Sequence, residues 1–202
     1  MKAEQPPYVI TEQIIKESRR KNDYDYTFQK NLISQLRNRI MNYLSKTAKF
    51  SLCGRYRYAL FRSWNYNKKQ ALFVGLNPST ADNKIDDPTI RKCVRFADSW
   101  GYGSIEVVNL FAYKATHPKN LLASRDPIGP KNDYWIKKAY TRSDIAIACW
   151  GSFGSFQERS TKVAADLVKL HCLAINNDAE PTHPLYLSAN LKPIPYAKIQ
   201  SI

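Results

Sequence analysis

In this 202-residue chain, polar side chains capable of chemistry stand where apolar runs give way to turns. Asn77 follows Gly75-Leu76 and precedes Pro78, Asn109 stands inside VVNLF, His183 opens His183-Pro184-Leu185-Tyr186, and Asp86-Asp87 precede Pro88. An amide donates and accepts hydrogen bonds at once, a neutral imidazole has one donor and one acceptor nitrogen, and a carboxylate can activate water. Such a set suits hydrogen-bonded recognition and hydrolysis with an oriented water. Each residue also has a plain structural use. Asn77-Pro78 starts turns, a buried Asn109 can cap a neighbouring loop, His183 can satisfy a carbonyl, and Asp87 can N-cap a helix that begins with Pro88. Asp86 is the more open of the two aspartates as a water activator.

These residues depend on an α/β framework. ALFVGL (71–76), IEVVNLF (105–111), DIAIACW (144–150) and CLAIN (172–176) are apolar, β-branched runs of strand length, the pattern of a parallel sheet covered on both faces. Helical periodicity separates them at 88–100, 132–140 and 155–170. Residues 56–64 form a β-prone run ending at Asn65-Tyr66-Asn67, a hairpin-like lead into the sheet. LKPIPY reads as extended surface chain. In such sheets ligands bind at the carboxyl ends of the strands, where Asn77, Asn109, Trp150-Gly151-Ser152 and the His183 segment fall. The amides of Trp150-Gly151-Ser152 form a tight turn able to hold a phosphate. No P-loop and no G-x-G-x-x-G is present.

Charge supplies the second constraint. Lys+Arg number 31 against 17 Asp+Glu, net +14, and residues 1–70 hold 15 basic against 5 acidic side chains. A hydrophobic fraction of 44% supports a folded core rather than a disordered basic tail. The excess favours a polyanionic partner. FQKNLISQLRNRIMNYL (28–44) has the i+4 stripe of an amphipathic helix, with Lys30, Arg37 and Arg39 on its other face. Lys114, His117, Lys119, Arg125 and Lys131 form a second basic cluster. The predicted division is a basic helical extension over 1–50 and an α/β domain over 51–202. Cys53, Cys93, Cys149 and Cys172 lack metal-ligand spacing and read as reduced, mostly buried thiols. Without a long apolar run or an apolar leader, the expected location is cytoplasmic, with no membrane contact.

The run from CGRYRYALFRSW (53–64) through GLNPSTADNKIDDPTIRKCVRFADSWGYG, VVNLFAYKATHP, DPIGPKND and HPLYL closely resembles the bacterial DUF1643 family. More distantly, GLNPS after a strand, N-L-x-x-x-x-x-T after a later one and a late HP-x-x-L resemble the uracil-DNA glycosylase superfamily, especially its thymine/mismatch-specific branch with GINPG. That likeness implies a three-layer αβα sandwich with a mainly parallel sheet. It places Asn77 where asparagine orients the attacking water, Asn109 where asparagine reads the flipped base, and His183 beside the leaving base oxygen. Leu185 or Tyr186 falls in the loop that enters the minor groove. The chain departs from the pattern in having no iron–sulfur cysteine set and HPLYL in place of HPSPLS.

N-glycosidic hydrolysis proceeds through an oxocarbenium-like sugar while negative charge collects on the base, so it needs donors aimed at the base and a positioned water. The base must also leave the stack, and Phe96, Trp100 or Tyr102 is expected to stack on it beside Pro78 and Asn109. The expected activity is a monofunctional DNA glycosylase acting on double-stranded DNA with a modified base, leaning to glucosylated or otherwise hypermodified cytosine in antiphage defence. It requires no cofactor and no metal. Repair of uracil or other deaminated bases, a non-catalytic nucleic-acid reader, and a hydrolase of free nucleosides or nucleotides are the alternatives.

Overall fold

The structure is a computed structural model and describes residues 42–116 and 118–197. The helix read over 28–44 lies almost wholly outside the described residues, as do Lys30, Arg37, Arg39 and His117. Among the described residues seven strands form one sheet: β1 (Ser45–Phe50), β2 (Arg57–Ser63), β3 (Gln70–Gly75), β4 (Ser104–Asn109), β5 (Ile145–Ala148), β6 (Leu170–Cys172) and β7 (Ile194–Pro195), in the order β1-β2-β4-β3-β5-β6-β7. The four central strands are parallel, β3 lying between β4 and β5 and β6 beyond β5. Burial on both faces explains the apolar residues along them: Leu72, Phe73, Val74, Ile105, Val108 and Ile147 have no exposed surface.

Helices cover both faces. Leu72, Val74, Val108, Leu110, Ala146 and Ala148 share one cluster with Ile136 and Ala139 of α3 (Asn132–Thr141) and Val163 of α4 (Arg159–Asp166). Phe73 points the other way and stacks on Trp100, 6.0 Å between ring centres, at the end of α1 (Pro88–Ser99). The ends of α1 follow the expected chemistry. Asp87 Oδ1 accepts from the Ile90 N–H at 2.9 Å, Pro88 opens the first turn, and Gly101 takes the left-handed conformation after the last. A short α2 (Pro118–Leu122) lies between β4 and α3.

Five local readings change. The strand read over 172–176 lies earlier in the chain: β6 is Leu170–Cys172, pairing with β5 through Leu170 and His171, and residues 173–176 lie beyond the ladder. The lead into the sheet is no hairpin, because β4 inserts between β2 and β3 and β2 pairs antiparallel with both β1 and β4. The turn itself forms, with Asn65 Oδ1 accepting from the Asn67 N–H. β1 belongs to the sheet, so residues 45–50, read as the end of the basic helical extension, are part of the α/β unit, which starts at Tyr43. The helix read over 155–170 is broken: a 3-10 segment, Ser152–Glu158, precedes α4, and Gln157 and Glu158 adopt positive φ of 52° and 55° between them. LKPIPY does more than cross the surface. It supplies β7, and Tyr196 is buried edge-on against Trp150.

Candidate functional site

The parallel strands end on one side of the sheet, where their loops enclose a cavity of about 470 Å³. Asn77, Asn109, His183 and Tyr186 all line it, together with Arg57, Asp87, Cys93, Cys149, Ser152, Phe153 and Thr182. Three distant segments therefore bring the two asparagines and the histidine together as the sequence leads one to expect.

Asn109 is the last residue of β4, 4% exposed, and its Nδ2 is buried without a hydrogen-bond partner among the described residues. Its main chain is fixed from the far face of the sheet: Asn132 Nδ2 donates to the carbonyls of Asn109 at 3.0 Å and Leu110 at 2.8 Å. Gly75, its register partner on β3, leaves room for the Asn109 amide, since a Cβ there would stand 2.8 Å from Oδ1. Asn77 spends its N–H groups on the carbonyls of Ala115 at 2.6 Å and Pro78 at 3.2 Å. Its Oδ1 is left as an acceptor with no hydrogen bond among the described residues.

His183 caps the 3-10 turn Pro184–Tyr186, and its Nδ1 accepts from the Leu185 N–H at 3.4 Å. An acceptor at Nδ1 places the ring proton on Nε2, which makes the neutral imidazole a donor. Burial pushes the His183 pKa below its ordinary value, while the charge of Asp87 pulls it back up. The lining includes Cys93 and Cys149, and the neighbouring Cys149 thiol, then burial, pushes the Cys93 thiol up. Cys172 is also buried and Cys53 exposed, all four being free thiols.

Several expected site residues lie elsewhere. Asp86 is absent from the cavity lining, because its Oδ1 accepts from Arg62 Nε at 2.7 Å and its Oδ2 from the Tyr43 hydroxyl at 2.6 Å. Asp87 is the aspartate that faces the cavity. Trp100 and Tyr102 are at the wrong end of α1. A crossover helix runs antiparallel to its strands, so its N-terminus meets the site, and 12 residues at ~1.5 Å each carry its C-terminus roughly 18 Å away. Trp100 instead packs on Phe73 and Phe96 and donates to the Leu191 carbonyl. Phe96 itself is core, 1% exposed. Pro78 is buried behind the lining, its carbonyl accepting from the Ala115 N–H. Lys114 and Lys119 are exposed and flank Ala115-Thr116, which line the cavity. At the mouth, Tyr186 is 82% and Phe153 50% exposed, and Leu185 is partly exposed outside the lining.

Arg57 is the residue that sequence reasoning missed. It is 2% exposed, its Nη1 donates to the Ala81 carbonyl, and its Nε has no hydrogen-bond partner among the described residues. Burial pushes its pKa down to about 10 against the opposing pull of Asp87. The available signal was a cation between Tyr56 and Tyr58 at the start of a β-prone run. Among the described residues no group of three or more His, Cys, Asp or Glu side chains could hold a metal, and no helix is long and apolar enough to cross a membrane.

No curated protein and no solved structure matches the chain. The model of DUF1643, a family of proteins of unknown function, matches residues 57–185, a span that holds Arg57, Asn77, Asp87, Asn109 and His183. More than half of the chain is matched, and the chain belongs to the DUF1643 family.

Proposed function

We propose that this protein is a monofunctional DNA glycosylase with a uracil-DNA-glycosylase-like domain that removes a bulky modified base, a glucosylated or otherwise hypermodified cytosine of phage DNA, in antiphage defence. The observation that carries this reading is the convergence of Asn77, Asn109 and His183 on one cavity at the carboxyl ends of the parallel strands.

The residues divide the chemistry. Asn109 holds the extrahelical base through its amide, and Asn77 Oδ1 accepts a hydrogen bond from the attacking water. The C1′–N1 bond breaks with its electron pair going to the base, whose developing negative oxygen accepts from His183 Nε2–H. The water oxygen bonds to C1′, and its proton is lost to the departing base, leaving a neutral base and an abasic sugar. Among the described residues no lysine lines the cavity, which fits hydrolysis without Schiff-base strand cleavage. In this reading Tyr186 and Phe153, exposed at the mouth, fill the gap left in the duplex, and the exposed Lys114 and Lys119 meet phosphates.

The test compares alkali-labile abasic sites formed in glucosylated phage DNA, uracil-containing DNA and plain DNA by wild type and Asn77→Ala. Release from the modified DNA alone, reduced by at least 100-fold in the variant, is expected. Salt-dependent DNA binding without base release on any substrate overturns the proposal in favour of a non-catalytic reader.

A further inference from the structure

Three arginines of the α/β unit are almost wholly buried, and they differ in how their charge is met. Arg62, 0% exposed, is held by Asp86, and Arg159, 1% exposed, by Asp133. Arg57, 2% exposed, has no carboxylate within ion-pair distance among the described residues, although Asp87 and Asp82 are near enough to act on it through space. Of the three, Arg57 alone lines the cavity. A buried guanidinium without an ionic partner is strongly unfavourable, so its partner is most simply a group that arrives with the ligand.

We propose that Arg57 is the counter-ion of the ligand, and that the cavity is built to accept a heterocycle carrying a delocalised negative charge. This rests on the glycosylase reading, in which the base departs as an anion. Phosphate would supply negative charge too, but two observations favour the heterocycle. Asp87 shares the cavity, and its carboxylate opposes a compact dianion more than a flat, charge-spread monoanion. Much of the remaining wall is apolar, formed by Ile90, Val107, Cys93 and Cys149, which suits a ring. Asn109 Nδ2, a second buried donor without a partner, lies on the same cavity. His183 donates to the base, and Arg57 supplies the formal charge that a neutral imidazole lacks.

Binding of free bases isolates this role from catalysis. 5-Nitrouracil is an anion at neutral pH, uracil is neutral, and inorganic phosphate carries charge without a ring. Calorimetry on the full chain at neutral pH is expected to give 5-nitrouracil a 10- to 100-fold advantage over uracil, about the strength of a hydrogen bond to a charged group, with no competition from millimolar phosphate. Arg57→Gln is expected to abolish the advantage and Arg57→Lys to retain part of it, with circular dichroism verifying that both variants fold. If Arg57→Gln does not fold, loss of part of the advantage in Arg57→Lys, which keeps the charge but not the guanidinium geometry, carries the test. Equal binding of the two bases by wild type, an advantage unchanged in folded Arg57 variants, or displacement by phosphate overturns the proposal. Anion preference without base release from any DNA would remove the glycosylase reading and leave the anion site standing. Base release without anion preference would do the reverse.

Discussion

Gly75 and Asn109 are register partners on adjacent parallel strands, and the missing side chain of the first is the space into which the amide of the second fits. A Cβ on residue 75 would stand 2.8 Å from Asn109 Oδ1. Gly75→Ala is therefore expected to keep the strand, with a stability change within about 1 kcal/mol, and to lower base release by roughly 10- to 100-fold through displacement of the amide. Parallel urea unfolding and abasic-site assays check both halves. Full activity in the folded variant would show that the amide does not read the base.

Asp86 separates structure from chemistry. Its carboxylate faces a fully buried Arg62, so Asp86→Asn leaves that cation uncompensated and is expected to destabilise the fold by about 3–5 kcal/mol. Activity per folded molecule, measured at low temperature, should stay near wild type. A selective fall in turnover without loss of stability would return Asp86 to the catalytic machinery.

The pH profile follows from His183. Burial lowers its pKa below 6.5, so the donor imidazole is neutral at and above that pH, and the acid limb of kcat/KM is expected below it. Asp87 raises the pKa, so Asp87→Asn should move the limb to still lower pH while the new amide preserves the cap of α1. The same depressed pKa makes His183 contribute stability that is present above pH 6.5 and lost as pH falls through its folded value. A limb above 6.5, or one that rises in Asp87→Asn, contradicts the assignment.

Thiol reactivity should be concentrated at one position. The Ser51 hydroxyl, then Arg55, lowers the pKa of the exposed Cys53 to about 7, whereas Cys93, Cys149 and Cys172 are buried. Brief iodoacetamide treatment of the native protein is expected to label Cys53 alone, with a rate that rises through pH 7. Ser51→Ala should shift that midpoint upward. Peptide mass spectrometry reads both results.

Much of this arrangement was legible because local chemistry and global topology agree. Three of the four parallel strands fall on the apolar runs that mark them, α1 carries both its caps, and strand-end logic gathers Asn77, Asn109 and His183. The rest depended on non-local facts. Which strand lies beside β2 is decided by where β4 inserts, and no residue of β2 records it. Asp86 and Asp87 are chemically alike in sequence, and only the position of Arg62 and Tyr43 sends one away from the cavity. Trp100 and Tyr102 are aromatic residues near a promising motif, but α1 carries them to the opposite end of the sheet. Arg57 passes for surface charge until its strand is known to be internal.

Among the described residues β1 and β7 are the outermost strands of the sheet, and both carry features that oppose a further strand. β1 carries Lys46 and Lys49, and β7 contains Pro195, which has no N–H to offer a neighbour. A strand from another molecule would have to desolvate ammonium groups at one border and forgo a ladder bond at the other. The two borders thus work against intermolecular strand pairing, while the polar groups of the cavity are gathered at the carboxyl ends of the central strands.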